Sequence, residues 1–430
     1  MQFLKESKTY LKISGRNSGV MGGLISFTAS LQIFAQRATA LWDGTICPNS
    51  FTLPAQAGLK VGRFRYRFDI IYKMNTIKHD GLVLYPLGGA SYVYEQDLVG
   101  YLASRLPRKN IKISIGAQPN GSPHLGTLVV FSLAFALAEL LNKQKSRSAN
   151  VTLEVIDTAP AKELVIEGLR YQINLRDSGQ ADIFLAQYDQ LLNTLKKLTG
   201  VGFTLRRQSE FNSQLTIPII LKKVVENETV LAPLLDPKKK KLKIRVPCPN
   251  CGLTDKDAEK NIIFRNCIVS YCPKHGKFKT YYKNSSRFEY NTPLRNLIRA
   301  LSYSADSADP KRDFCWLRVT GMDYAGFYQE ELLYRTVSLI GYRVDKLPII
   351  LYAPLIVDWS GAKLSKSLYV KRGAYKYLPA YLVSYEHFYE RFGEKGIAKL
   401  YNEVKSWVEN PYKLFRAYSV YYFMEVFGYD

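Results

Sequence analysis

NIKISIGAQPNGSPHLGTLVVFSLAFALAELLNKQKSRSANVTLEVI, residues 110–156, is the stretch on which the reading of this chain turns. Residues 110–115 alternate apolar and polar side chains and are bounded by Gly116, which is the pattern of a short buried strand. The Pro, Gly and Ser residues that follow can only be a loop. Residues 125–142 are apolar over several turns and predict a helix, and residues 151–156 predict a second strand closed by Asp157, Thr158 and Pro160. Strand, Gly-containing loop, helix and strand make one βαβ unit of a nucleotide-binding sheet. The helix is apolar enough to resemble a membrane span. It carries Glu139 and is short for that role, so a buried helix is expected and no membrane partner.

Working outward, residues 82–88 and 92–106 form a loop-and-helix lead-in, with Glu95 and Asp97 near a helix start. Beyond Pro160 the pattern breaks up, apart from a helix at 182–199. Residues 238–241 are four successive Lys with Lys243 close by, a solvated loop or a phosphate contact. A helix at 291–304 leads to a third strand at 314–319, a helix at 330–340, a strand at 348–352 and a Tyr-rich helical tail at 375–430. The fold expected is α/β, a Rossmann-like parallel sheet split by an insertion. The division is a basic extension (1–81), the first half of the core (82–160), the insertion (161–290), the second half (291–374) and the short tail (375–430).

The chain's 430 residues, 47% of them hydrophobic, suffice for two or three domains with cores. Thirty-one Tyr and an aromatic content of 13% exclude global disorder. Lys and Arg number 60 against 37 Asp and Glu, a net +23 that favours nucleotides, nucleic acid or an anionic surface. Residues 1–73 hold only Glu6, Asp43 and Asp69 as acids, and Met74 follows. Two readings stay open: a targeting segment, which would direct the protein to mitochondria, or a loose extension or upstream start on a cytoplasmic protein.

Four of the six Cys fall in one short stretch. Cys248-x2-Cys251 is followed after 20 residues by Cys272-x2-His275. Two pairs of soft or borderline ligands match a structural zinc ribbon, with Cys267 outside the pairs as a spare or alternative ligand.

Two loops carry candidate chemistry. In the first, Gly121 and Gly126 allow close backbone approach and Pro123 blocks helix before His124. The helix then begins with its free N–H groups and dipole aimed at the loop, an anion site where His124 can donate to a phosphoryl oxygen. In the second, Lys363 and Lys366 alternate with Ser365 and Ser367 beyond Gly361, a mobile clamp for polyphosphate.

Pro119, Gly121, His124 and Gly126 resemble the His-Ile-Gly-His signature of class I aminoacyl-tRNA synthetases, with Leu125 for Ile and Thr127 for the second His. Residues 363–367, Lys-Leu-Ser-Lys-Ser, resemble that class's Lys-Met-Ser-Lys-Ser signature, in the right order and just after strands. Gly321-Met322-Asp323-Tyr324 is similar to the class's ribose-binding Gly-x-Asp segment, and Leu355 and Ile356 fall where the class reads adenine. With the cysteine pairs in the insertion, the best likeness is to class I lysyl-tRNA synthetases, over roughly residues 82–368. Only 63 residues follow Ser367, fewer than their anticodon-binding domain needs.

The resemblance implies ATP-dependent activation of an amino acid, lysine favoured, and its transfer to tRNA, with Mg²⁺ and a structural Zn²⁺. His124, Thr127, Lys363 and Lys366 would be catalytic. Pro119, Gly121, Gly126, Gly321, Asp323, Leu355, Ile356, Ser365 and Ser367 would hold ATP, and Cys248, Cys251, Cys272 and His275 the metal. A free-standing amino-acid adenylating ligase with a different acceptor, or a non-catalytic RNA-binding relative, stays open, as does the oligomeric state.

Overall fold

The structure is a computed structural model and describes residues 97–144, 147–364 and 375–428. The basic extension, most of the lead-in, and Ser365, Lys366 and Ser367 lie outside the described residues.

Five parallel strands form the central sheet: β1 (Asn110–Ala117), β2 (Ser148–Val155), β3 (Phe203–Arg207), β4 (Phe314–Gly321) and β5 (Ile349–Ala353). Their spatial order is β5-β4-β1-β2-β3, the Rossmann-like arrangement, with the topological switch between β1 and β4. Ligands bind such sheets beyond the carboxyl ends of the strands at that switch. β1 runs through Gly116 to Ala117, two residues past the expected end, because its last residues still pair with Glu154 and Val155.

Five helices position the sheet: α1 (Leu98–Arg105), α2 (Leu125–Lys143), α3 (Ala181–Thr199), α4 (Thr292–Ala308) and α5 (Tyr385–Glu409). Asp97 caps α1, its Oδ1 accepting from the Gly100 N–H at 2.7 Å, and Asn291 caps α4 in the same way through Leu294. The strands' period of two sorts residues onto the two faces. Cys315, Leu317 and Val319 of β4 join α2, α3 and α5 in one core, while Phe314 and Trp316 join α4 in another. α2 has a continuous buried run from Phe131 to Ala138. That burial explains its apolar composition.

Residues 181–207, read from sequence as part of the insertion, supply α3 and β3 to this layer. β3 escaped notice because its five residues, Phe-Thr-Leu-Arg-Arg, sit half-buried at the sheet edge. Also unforeseen is a hairpin of Pro160–Ile166 and Leu169–Asn174. Glu167 and Gly168 turn it at φ 51° and 75°, the left-handed pair a two-residue turn requires. The helix expected at 330–340 is broken, with a π-helical stretch at Glu330–Arg335.

The 375–428 segment is helical as expected. Tyr385, Phe388, Trp407, Tyr418 and Phe423 are buried in the same core as α2. The Tyr401 hydroxyl and Lys405 (2.8 Å) of α5 reach Glu139 of α2, and Lys143 pairs with it at 2.8 Å. Burial opposes charging of Glu139. The three partners outweigh it and hold the carboxyl down at about 2.

Candidate functional site

A cleft of about 180 Å³ opens at the carboxyl ends of β1 and β4, at the switch point. It brings together His124, Gly126, Thr127, Gly321, Asp323, Leu355, Ile356 and Lys363 from four separate parts of the chain. Pro119 and Gly121 are buried in the loop behind it and do not line it.

His124 is the N-cap of α2, and its Nδ1 accepts from the Gly126 N–H at 3.0 Å. In the neutral ring this places the proton on Nε2, so Nε2 is a donor. Gly126 is needed for this packing, since a Cβ there would lie 2.9 Å from His124 Cε1. The expectation of free amides at this helix end is corrected for Gly126 and Thr127. The Gly126 N–H is capped, and those of Thr127 and Leu128 bond the His124 carbonyl at 2.8 and 3.1 Å. What faces an anion is therefore the helix dipole and the imidazole N–H. The loop is braced from the far end of the sequence: the Tyr385 N–H donates to the Pro123 carbonyl at 2.7 Å and to Ser122 Oγ at 3.0 Å.

Across the cleft, β4 ends in Gly321 and a 3-10 turn at Met322–Tyr324. Asp323 Oδ2 pairs with Lys363 Nζ at 2.5 Å. The residue expected at the ribose and the first Lys of the clamp thus hold one another. Lys363 is presented by a hairpin built on buried Asp358, whose Oδ1 accepts from the Ser360 N–H (2.8 Å), Ser360 Oγ (2.7 Å) and the Ala362 N–H (3.2 Å). Tyr375 donates to the other carboxylate oxygen at 3.2 Å, so the chain is anchored on both sides of residues 365–374. Leu355 and Ile356 line the cleft. Their carbonyls already accept from the N–H groups of Tyr418 and Leu364, each at 2.8 Å.

Sequence reading missed the cleft's arginines. Arg295 and Arg299 project from α4, and Arg318 from β4. Beneath them Glu154 is fully buried. It accepts both Nε (3.2 Å) and Nη2 of Arg206 and the Tyr303 hydroxyl at 2.6 Å. The signal was available: 295, 299 and 303 are spaced four apart on one helical face, and 314, 316 and 318 alternate on one strand face.

Cys248, Cys251, Cys272 and His275 converge, their ligand atoms within 4.8 Å of one another. Cys251 Sγ lies 3.6 Å from Cys272 Sγ, and His275 Nδ1 lies 3.5 and 3.6 Å from Cys248 and Cys272. A tetrahedral zinc requires edges of roughly 3.5–3.8 Å, so the donor set fits it, and 3.6 Å is far too long for a disulfide. Cys267 is buried and stands outside the cluster. Each pair is a Cys-Pro-x-(Cys or His)-Gly knuckle, with Gly252 and Gly276 at φ 70° and 73°. The lysine run forms an exposed turn at residues 238–240, as expected of a solvated loop, with Lys239 paired to Glu259 (2.9 Å) at the surface; Lys241 donates to the Asn261 carbonyl (2.8 Å), and Lys243 beyond it pairs with Asp236 (3.0 Å).

No protein-family model and no curated protein matches the chain. Partial likenesses to solved structures exist. A Campylobacter jejuni protein assigned as an arginyl-tRNA synthetase is 9% identical with TM-score 0.32, over 74% of this chain and 68% of its own. A glutamate-tRNA synthetase of Elizabethkingia anophelis is 11% identical with TM-score 0.28, over 61% and 54%. A tyrosyl-tRNA synthetase of Archaeoglobus fulgidus is 13% identical with TM-score 0.31, over 74% and 95%.

Proposed function

We propose that this protein activates an amino acid with ATP as a class I aminoacyl-tRNA synthetase does, and passes it to tRNA. The observation that carries the reading is the meeting of His124, Asp323 and Lys363 in one cleft at the switch point of a parallel sheet. A carboxylate oxygen of the amino acid attacks the α-phosphorus, the bond to pyrophosphate breaks, and an acyl-adenylate forms. The acyl carbon then passes to the acceptor hydroxyl and AMP leaves. No protein nucleophile is needed, so positioning and charge stabilisation supply the rate. His124 Nε2–H donates to a phosphoryl oxygen and the α2 dipole adds to its field. Asp323 suits the ribose hydroxyls once ATP draws Lys363 away to the phosphates, where Lys366, Ser365 and Ser367 join it. Asp323 is the one carboxylate among the described residues lining the cleft. Mg²⁺ would therefore arrive on the ATP phosphates. Cys248, Cys251, Cys272 and His275 would hold a structural zinc that ties the two knuckles together.

ATP–pyrophosphate exchange measured with each amino acid, then repeated with tRNA, tests this. Exchange followed by tRNA charging is the expected result, and absence of exchange with every amino acid would sink it. A second reading is a ligase with an acceptor other than tRNA. Exchange without charging would select it. The resemblance names lysine as the amino acid, and the same panel decides.

A further inference from the structure

We infer that the amino acid taken by this cleft has an acidic side chain, with Arg295, Arg299 and Arg318 as the receptor for its carboxylate. This rests on the adenylating function proposed above. Helical spacing puts Arg295 and Arg299 on one face of α4, and strand alternation points Arg318 of β4 into the same space. Arg295 and Arg299 are 7% and 3% exposed, and the Nε of each is buried without a hydrogen-bond partner. Arg299 donates to Gln208 Oε1 at 2.8 Å and Arg318 to Asn296 Oδ1 at 2.7 Å, neutral acceptors that orient the guanidinium groups without neutralising them.

Among the described residues the three groups keep a net positive charge, because the one carboxylate in range is shared with Arg206. Glu154 lies 4.0 Å from Arg299 but is already gripped by Arg206. No carboxylate reaches ion-pair range of Arg295 or Arg318 among the described residues, and Asp323 is spent on Lys363. Burial and the neighbouring Arg299 push Arg295 down to about 10, and they lower Arg318 as well. Buried cations crowded in this way are costly alone, and an anion that pairs with them relieves the cost. The planar forks of Arg suit a carboxylate. A lysine substrate would instead bring a fourth cation with no free carboxylate to meet it. The amino acid's own α-carboxylate is a poor candidate, because an oxygen clamped by several guanidinium groups is a weakened nucleophile.

The exchange panel on the intact chain provides the first test. Aspartate or glutamate should give the highest kcat/KM. Exchange led by lysine or a neutral amino acid overturns the inference while leaving the adenylating function standing. Absence of exchange with any amino acid overturns both. Arg318→Ala should raise KM for the acidic substrate about 100-fold while KM for ATP stays within about threefold, and Arg318→Lys should recover part of the loss. A rise in ATP KM instead would assign the arginines to phosphate and overturn the proposal. Should the Ala variant fail to fold, the wild-type panel still decides.

Discussion

At the scale of single residues, His124 does two jobs with one ring. Its Nδ1 caps α2 and its Nε2–H is the donor offered to phosphate. His124→Ala should cost about 1 kcal/mol of cap stability but lower ATP–pyrophosphate exchange by about 10²–10³-fold. Thermal unfolding and exchange, measured on the same preparation, separate the two. A variant that loses stability and keeps exchange would show that the ring is only a cap. Gly126→Ala sharpens the point, because the new methyl would meet the imidazole at 2.9 Å. It should displace the ring and lower exchange at least about tenfold, with the chain still folded. The residue types at 124 and 126 were legible as a candidate site because their chemistry is local to a helix start, whereas Pro119 and Gly121 fall in the loop behind the cleft. Arg295, Arg299 and Arg318 were not, since each alone is an ordinary Arg in a chain of net +23.

At the scale of elements, the seam between α2 and α5 has an acid-sensitive fastening. Glu139 titrates in the fold at about 2, below its ordinary value of 4.5, because Lys143, Lys405 and Tyr401 outweigh burial. A depressed carboxyl adds stability that is complete above pH 4.5 and is lost as pH falls through about 2. Glu139→Gln should cost about 2 kcal/mol near neutrality and flatten the fall in Tm below pH 4.5. Equal acid sensitivity in the variant would remove Glu139 from that account. A zinc held by Cys248, Cys251, Cys272 and His275 would be a second fastening. Cys248→Ser should bring bound zinc from a single equivalent to near none by elemental analysis and lower Tm by several degrees, because binding free energy of such sites is folding free energy. A purified wild-type chain without zinc would contradict the assignment. The knuckles could be recognised in sequence because the ligands, their spacing and the following Gly252 and Gly276 are all short-range.

On the whole-molecule scale, the 375–428 segment packs back onto the first half of the core. Tyr385 braces the loop before His124, and Tyr375 braces the hairpin before Lys363. Trp407 stacks on Tyr418 at 4.4 Å, inside a core shared with β1 and α2. Ending the chain at residue 374 should therefore abolish cooperative unfolding and leave the protein insoluble, since it strips a face of α2 rather than removing an appendage. A soluble, cooperatively melting 1–374 fragment would show that the segment is dispensable.

The sequence by itself determined the βαβ unit at 110–156, the helix start at His124 and the two pairs of candidate metal ligands. Each is written in periodicity, turn residues or spacing within a few turns of chain. Tertiary structure alone decided that β3 completes the sheet, that the 375–428 helices belong to the core, and that Asp323 meets Lys363. It also decided that three arginines from α4 and β4 crowd one cleft, where among the described residues only Glu154, shared with Arg206, comes within ion-pair range of any of them. Those facts depend on which distant surfaces pack together, and burial, not local propensity, fixes that.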